Sequence, residues 1–366
     1  MNRKVPNTLS YFAAIEYLNK VWCSNLNFNG LFTLDIATGK IDYIGRFAGH
    51  KDNSIGLHSI VKLYEDKLIF FPHYSYSIDT YDFAGNFCSC EINSWKMAKK
   101  VSTFTCSAGA YIWGDLCYIF PRFPGMNMIK FSPEKNEICE EVELKIANKS
   151  IVVNDTNLTL RTAQAGNNIY IPIFGTNTII KYDLENDQEE QIVLKEINKI
   201  TGGMDFDGIS FWLNTDGGIS RYNSSFGERI YFYPCVSKCE ELITSFVFRD
   251  SKVFALPAWL GAVKIIDAKT NSILEYPLDI QEIKLQKGPV SRWRNTGNCI
   301  SFKESFMINP VSINSVLIMD YHTLKIKKSL LKVPYDSIPF KKFDSVTNYE
   351  KSGEDIEDFL QFVLRT

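Results

Sequence analysis

The sequence predicts an all-β protein, a seven-bladed β-propeller of four-stranded antiparallel blades, followed by a short C-terminal helix. Three observations lead there. A polar residue closing an apolar run recurs at Asp35, Asp82, Ser132, Asp183, Asn223, Asp267 and Asp320, at intervals of 40 to 53 residues. Upstream of it, a second apolar run ends in proline at Pro72, Pro121, Pro172, Pro257 and Pro310. The composition also leans towards strands: aromatics make up 14% of the chain, and ring and β-branched side chains suit a pleated, half-buried surface.

Each element of the unit follows in order. The second copy reads "LHSIVKLYED", "KLIFFP", "YSIDTYDF" and "NFCSCEI", with turn residues at Glu65-Asp66, around Pro72, and at Ala84-Gly85-Asn86. The fourth copy repeats the layout as "LRTAQAG", "NNIYIP", "NTIIKYDL" and "QEEQIVL". Four short strands per period of this length are the arithmetic of a propeller blade. A helical solenoid would need a periodicity of about 3.6, which is absent. The first and fifth copies, "VWCSN" and "ISFWLN", keep the apolar run without the proline. The recurring Asp or Asn reads as turn punctuation, since its side chain bonds to backbone two residues on, with Gly39, Gly85 and Gly227 expected to supply positive φ.

The propeller is expected over residues 10–331 and a tail over 332–366. The seventh copy has its own fourth strand in "LKIKKSLLKV", so no strand need be borrowed from the N-terminus. In the tail, Ser352 with Asp355 resembles a capping box, and Ile356, Phe359, Leu360, Val363 and Leu364 fall on one stripe of a helix over about 353–365. That stripe has to bury against the barrel wall or a copy of itself in a homodimer; a separate partner's groove is the third option.

Bulk properties bound the partners. A formal net charge of -2 argues against a general nucleic-acid binder. No apolar run approaches the ~20 residues that span a bilayer, so no membrane partner is expected. The N-terminus lacks the apolar core of a signal peptide. The odd count of nine cysteines, several inside strand-like runs, fits a reducing compartment, and a cytoplasmic location is expected.

The unit resembles the seven-bladed propeller superfamily, and within it the kelch-like and YVTN-like repeat propellers, through turns such as "TYDFAGN" and "LDIATG". The resemblance covers about residues 10–331 and is architectural. No blade carries the Gly-His and Trp-Asp pair of WD40 repeats, the kelch double glycine, the Asp-box of sialidases or the Trp-docking pattern of quinoprotein dehydrogenases. Those families' functions do not carry over.

A site is expected on the face formed by the loops before each first strand and between second and third strands. His50 and His58 lie in "FAGHKDNSIGLHS" and His73 follows Pro72, so three histidines are catalytic candidates converging on one sector. Lone loop histidines are ordinarily just solvated. The loop "LQKGPVSRWRNTGN" sets Arg292 and Arg294 around Trp293, a set suited to an anionic or planar ligand by pairing and stacking. Arg46, Trp95, Arg122, Arg161 and Trp259 fall in comparable places and complete a ligand-binding rim. The plainer reading is a Trp anchoring its loop with Arg residues facing water. No metal or cofactor motif is present: there is no CxxC array, HExxH, Gly-rich phosphate loop or GxSxG.

The expected function is a non-catalytic propeller binding a protein or a small ligand through its loop face. The alternative is a lactonase- or lyase-type enzyme with His and Arg at the channel mouth. A glycan-binding propeller, suggested by Trp and Tyr, fits the expected location poorly.

Overall fold

In the computed structural model, each of the seven anchors ends the third strand of a four-stranded antiparallel sheet. The structure describes residues 3–4, 11–52, 54–97, 107–123, 125–145, 161–234, 243–257, 262–278, 299–309, 315–330 and 342–343. Blade 1 is Ala14–Tyr17, Lys20–Ser24, Leu31–Asp35 and Ile41–Gly45; blade 2 is His58–Tyr64, Lys67–Pro72, Ser77–Asp82 and Phe87–Glu91. Blade 3 is Ser107–Trp113, Leu116–Pro121, Met128–Ser132 and Glu137–Val142; blade 4 is Ala163–Ala165, Asn168–Pro172, Thr178–Asp183 and Gln188–Val193. Blade 5 is Ile200–Phe206, Ser210–Thr215, Gly218–Asn223 and Arg229–Pro234; blade 6 is Ile243–Arg249, Lys252–Pro257, Ala262–Asp267 and Ser272–Pro277. Blade 7 is Cys299–Ser301, Ser305–Ile308, Ser315–Asp320 and Ile326–Leu330, so all its strands come from its own segment. Strand order within each sheet follows the sequence, as a meander. The protein is a seven-bladed β-propeller.

The second and third strands are near-continuous apolar runs because both their faces are covered. Lys67–Pro72 and Met128–Ser132 are buried along almost their whole length, whereas the fourth strand Gln188–Val193 is mostly exposed and rich in Gln and Glu. The gradient from apolar middle strands to a polar fourth strand is what a stacked sheet with one free edge demands.

The blades fall into two compact units. Residues 1–106, 133–137 and 282–366 hold blades 1, 2 and 7; residues 107–132 and 138–281 hold blades 3 to 6. In the first unit, Tyr11, Cys23, Phe32, Ile300 and Met307 pack blade 1 on blade 7, while Trp22, Phe47, Leu57, Phe70 and Tyr81 pack blade 1 on blade 2. A two-residue strand, Arg3–Lys4, pairs antiparallel with Lys342–Phe343 beyond blade 7. In the second unit the buried Lys130 Nζ of blade 3 donates to Asp187 Oδ2 of blade 4 at 2.6 Å, and Tyr233 of blade 5 donates to Asn271 Oδ1 of blade 6 at 2.8 Å.

The turns after the third strands behave as the sequence implies. The Thr38 N–H donates to Asp35 Oδ1 at 2.8 Å, that of Asn86 to Asp82 at 2.9 Å, that of Glu185 to Asp183 at 2.8 Å, and that of Thr323 to Asp320 at 2.7 Å. Three or four residues past each anchor the backbone turns left-handed: Gly39 (φ 71), Gly85 (101), Asn136 (55), Asp187 (52), Phe226 (56), Asn271 (56) and Leu324 (60). One expectation is corrected here. In blade 5 the positive φ falls on Phe226 and not on Gly227, because the Phe226 side chain is buried on Phe211, with centroids 4.4 Å apart, and that packing holds the strained backbone.

The expected helix over 353–365 lies outside the described residues. A helix the sequence did not announce, Asn93–Met97, follows the fourth strand of blade 2. Among the described residues no helix is long and apolar enough to cross a membrane.

Candidate functional site

His50 sits in the loop joining blade 1 to blade 2, His58 opens the first strand of blade 2, and Asp79 lies inside that blade's third strand. The fold brings all three to one point. His50 Nε2 is 2.8 Å and His58 Nε2 2.6 Å from the same oxygen, Asp79 Oδ2. Ser77 Oγ lies 3.0 Å from His50 Nε2 and donates to Asp79 Oδ2 at 3.3 Å. Behind His58, Ser24 Oγ at the end of a blade 1 strand lies 2.8 Å from Nδ1. The His58 ring is wedged against Phe47 and Phe70, with centroids at 4.5 and 5.3 Å.

The loop bearing His50 is fastened by a residue far upstream. Asn29, fully buried, accepts from the Phe47 N–H at 2.9 Å, and its Nδ2 donates to the carbonyls of Phe47 at 3.0 Å and His50 at 3.3 Å. Its own N–H donates to the Asp52 carbonyl at 3.0 Å. Residues 46–52 are thus held at several points while Arg46, Ala48, Gly49 and Lys51 stay exposed.

Burial alone would raise the Asp79 carboxyl, but hydrogen bonds from His50 and His58 outweigh it and hold the group ionised, well below the usual carboxylate range. Burial pushes His58 below its ordinary value, and the hydrogen bond and charge of Asp79 offset this only in part. An ionised Asp79 oxygen can only accept, so the proton facing it lies on His58 Nε2, and in the neutral ring Nδ1 is then the acceptor for the Ser24 hydroxyl. Asp79 Oδ1, also buried, has no hydrogen-bond partner among the described residues. The His50 side chain is 14% exposed, whereas those of His58 and Asp79 are 0%, so solvent reaches the cluster at His50 alone among its three members.

This is also the one group of His, Cys, Asp or Glu among the described residues that could hold a metal ion, with its donor atoms within 4.8 Å of one another. No metal is expected from the sequence because no linear motif announces one: these ligands are separated along the chain and meet only through folding.

The other expected site residues are scattered. His73 does not join the cluster; its ring packs at 4.8 Å from Phe12 and 4.3 Å from Tyr74. Arg46 is exposed and pairs with Asp52 at 2.7 Å. Trp95 corrects the expected rim: it is 0% exposed, because the short helix Asn93–Met97 folds its indole inward, so it is core and offers no stacking face. Arg122 is partly buried, its guanidinium 6.0 Å from the Phe123 ring. Arg161, in the second unit, donates from Nε to Asp205 Oδ1 at 2.8 Å, while Asp205 Oδ2 accepts from the Phe246 N–H at 3.0 Å. Burial raises the Asp205 carboxyl, and Arg161 only partly offsets this. Trp259, Arg292, Trp293 and Arg294 lie outside the described residues. Asp79, Ser77, Ser24 and Asn29 were not anticipated.

No family model matches the sequence, and no curated protein matches it. Solved structures share the fold. The chain is similar to virginiamycin B lyase from Staphylococcus aureus, at a TM-score of 0.61 and 12% identity over 86% of this chain and 96% of that one. It is similar to BamB from Moraxella catarrhalis, at 0.53 and 11% over 91% and 92%. It also matches PorZ, a surface component of the type-IX secretion system of Porphyromonas gingivalis, at 0.57 and 13% over 93% of this chain and 40% of that one. At such identities the likeness extends to the propeller fold, which is what this chain shares with all three.

Proposed function

We propose that the protein is a binding propeller that holds an anionic ligand on its loop face at the junction of blades 1 and 2. The observation that carries this reading is the clamp of Asn29 on residues 46–52, which leaves Arg46 and Lys51 exposed on a loop that is already ordered. A pre-ordered loop loses little entropy on binding, so more of each contact is realised as affinity. The Arg46–Asp52 pair does not oppose it. Exposed pairs contribute only about 0–1 kcal/mol, so Arg46 can exchange Asp52 for a ligand carboxylate or phosphate. The test is a thermal-shift screen of carboxylates and phosphate esters on the wild type and on an Arg46→Glu, Lys51→Glu variant. Ligands that raise Tm in the wild type should lose that effect in the variant. An equal rise in both would move binding elsewhere, and no rise at all would remove the reading.

A second reading, a lactonase- or lyase-type enzyme, is favoured by the convergence of His50, His58 and Asp79. His50 reaches solvent and rests on an ionised carboxylate, the arrangement of a general base. It is tested by turnover of simple lactones and of quinupristin, the compound bound to an inactive variant of the S. aureus lyase. Turnover abolished by His50→Ala supports it; no turnover, or turnover unaffected by that change, removes it.

A further inference from the structure

We infer that His50 Nε2, His58 Nε2 and the Asp79 carboxylate form a binding site for a divalent transition-metal ion, Zn²⁺ foremost. This goes beyond the binding reading and stands on separate observations. Two imidazole nitrogens and one carboxylate oxygen already face a common point, carried by a loop, the start of one strand and the middle of another. That donor set suits Zn²⁺ and its neighbours and not Ca²⁺ or Mg²⁺, which prefer oxygen throughout.

A second observation points the same way. Asp79 is 0% exposed, yet its Oδ1 has no hydrogen-bond partner among the described residues. A buried carboxylate oxygen left so is costly, and a cation held by the Asp79 carboxylate through both of its oxygens supplies what is missing. The outer partner is also in place, because a metal-bound imidazole ordinarily donates its other nitrogen to a fixed acceptor, and Ser24 Oγ lies 2.8 Å from His58 Nδ1. Ser77 Oγ, 3.0 Å from His50 Nε2, stands where a fourth ligand or a bound water would be held.

Loading changes the proton arrangement in a defined way. Without metal, His58 carries its proton on Nε2 and gives it to Asp79. With metal on Nε2, that proton resides on Nδ1 and is donated to Ser24 Oγ, whose own proton turns outward, so His58 loses no proton to solvent. The metal at about 2.0–2.2 Å from each donor spaces tetrahedral neighbours about 3.3 Å apart. The present 2.6 and 2.8 Å separations therefore widen by roughly half an ångström, through small rotations of the buried His58 and Asp79 side chains in the first case and of the His50 side chain in the second.

The test uses the full chain, stripped with a chelator and titrated with Co²⁺ and with Zn²⁺. One equivalent of Co²⁺ should give the visible absorption of a low-symmetry nitrogen–oxygen site, and Zn²⁺ should displace it. His50→Ala should abolish the band, and Ser24→Ala, which leaves all three ligands in place, should weaken binding about 10–100-fold. Histidine ¹⁵N spectra of the wild type keep the test decisive should a variant misfold: Zn²⁺ should shift His50 and His58, with His58 changing tautomer, and leave His73 and His322 in place. No saturable binding, or binding that leaves the His50 and His58 resonances unmoved, would overturn the inference. In that case the cluster is a hydrogen-bonded staple between blades.

Discussion

Asn29 and Phe47 are bonded to each other twice across the junction of blade 1 and the following loop: the Phe47 N–H donates to Asn29 Oδ1 at 2.9 Å, and Asn29 Nδ2 donates back to the Phe47 carbonyl at 3.0 Å. A buried amide thus stands in for a strand partner that the loop lacks. Asn29→Ala would leave a buried backbone N–H and carbonyl without partners, at about 1–3 kcal/mol for each orphaned group. The expected outcome is a loss of about 2–4 kcal/mol in denaturant unfolding, with faster amide exchange confined to residues 46–52. Asn29→Asp keeps the acceptor for Phe47 N–H and should recover part of the loss. Unchanged exchange in that loop would show that Asn29 does not hold it.

Asp79 and His58 should be strongly coupled. Removing either leaves a buried polar or charged partner, so Asp79→Ile alone and His58→Leu alone are each expected to cost about 2–5 kcal/mol. Together they restore an apolar contact among Phe47 and Phe70, and the double variant should be less destabilised than the sum by about 1–3 kcal/mol. A thermodynamic cycle by urea unfolding measures this directly. Additive costs would mean that the short contact contributes nothing of its own.

That coupled pair marks where legibility in the sequence stopped. The blades could be read because the turn anchors and the apolar runs are local: a carboxylate capping its own turn, and strands buried on both faces, leave their mark within a few residues. The cluster is not local, since Ser24, His50, His58 and Asp79 meet only when blade 1 packs on blade 2. One signal was present all the same. Counting three residues back from each turn anchor gives Phe32, Ile129, Ile180 and Leu317 in blades 1, 3, 4 and 7, Ser220 in blade 5 and Lys264 in blade 6, whereas blade 2 alone has a carboxylate, Asp79, all seven being buried. A buried charge in a slot that four of the other six blades fill with a large apolar side chain has to be paired, as Lys264 is with Glu275 in blade 6. Trp95 failed in the opposite direction. An indole after a fourth strand reads as a rim residue until a five-residue helix turns it inward.

The turn anchors carry a pH dependence with a definite sign. Backbone N–H bonds within their own turns are the leading cause for Asp35, Asp82, Asp267 and Asp320, and a side-chain bond from Asn186 for Asp183; all five are held below the ordinary carboxyl value of 3.8. A carboxyl lowered in the folded state contributes stability that is fully present above 3.8 and is lost as pH falls through the folded value. Blade 5 shows how to remove the dependence, since Asn223 Oδ1 accepts the Gly227 N–H at 3.0 Å with no charge to titrate. Replacing all five Asp residues by Asn should therefore flatten the fall of Tm between about pH 5 and 3 and lower Tm at pH 7 slightly, since the contribution of the ionised carboxylates goes with them. An acid slope as steep as the wild type's would place the acid-sensitive groups elsewhere.

The same turns hold a strained residue that can be relieved. Leu324 sits at φ 60 in blade 7, at the place where Asn136 and Asn271 sit at φ 55 and 56 in blades 3 and 6. A left-handed conformation costs a residue such as leucine about 1–2 kcal/mol, and asparagine less, because its short side chain bonds locally. Unlike Phe226, which is 7% exposed and locked into the core of blades 4 and 5, Leu324 is only half-buried at a surface turn. Little packing opposes the change. Leu324→Asn should raise stability by about 0.5–1 kcal/mol, while Phe226→Asn, at the equivalent place in blade 5, should lower it by about 2–4 kcal/mol through the cavity it leaves. Equal effects at the two sites, measured by urea unfolding, would mean that backbone strain and not core packing governs both turns.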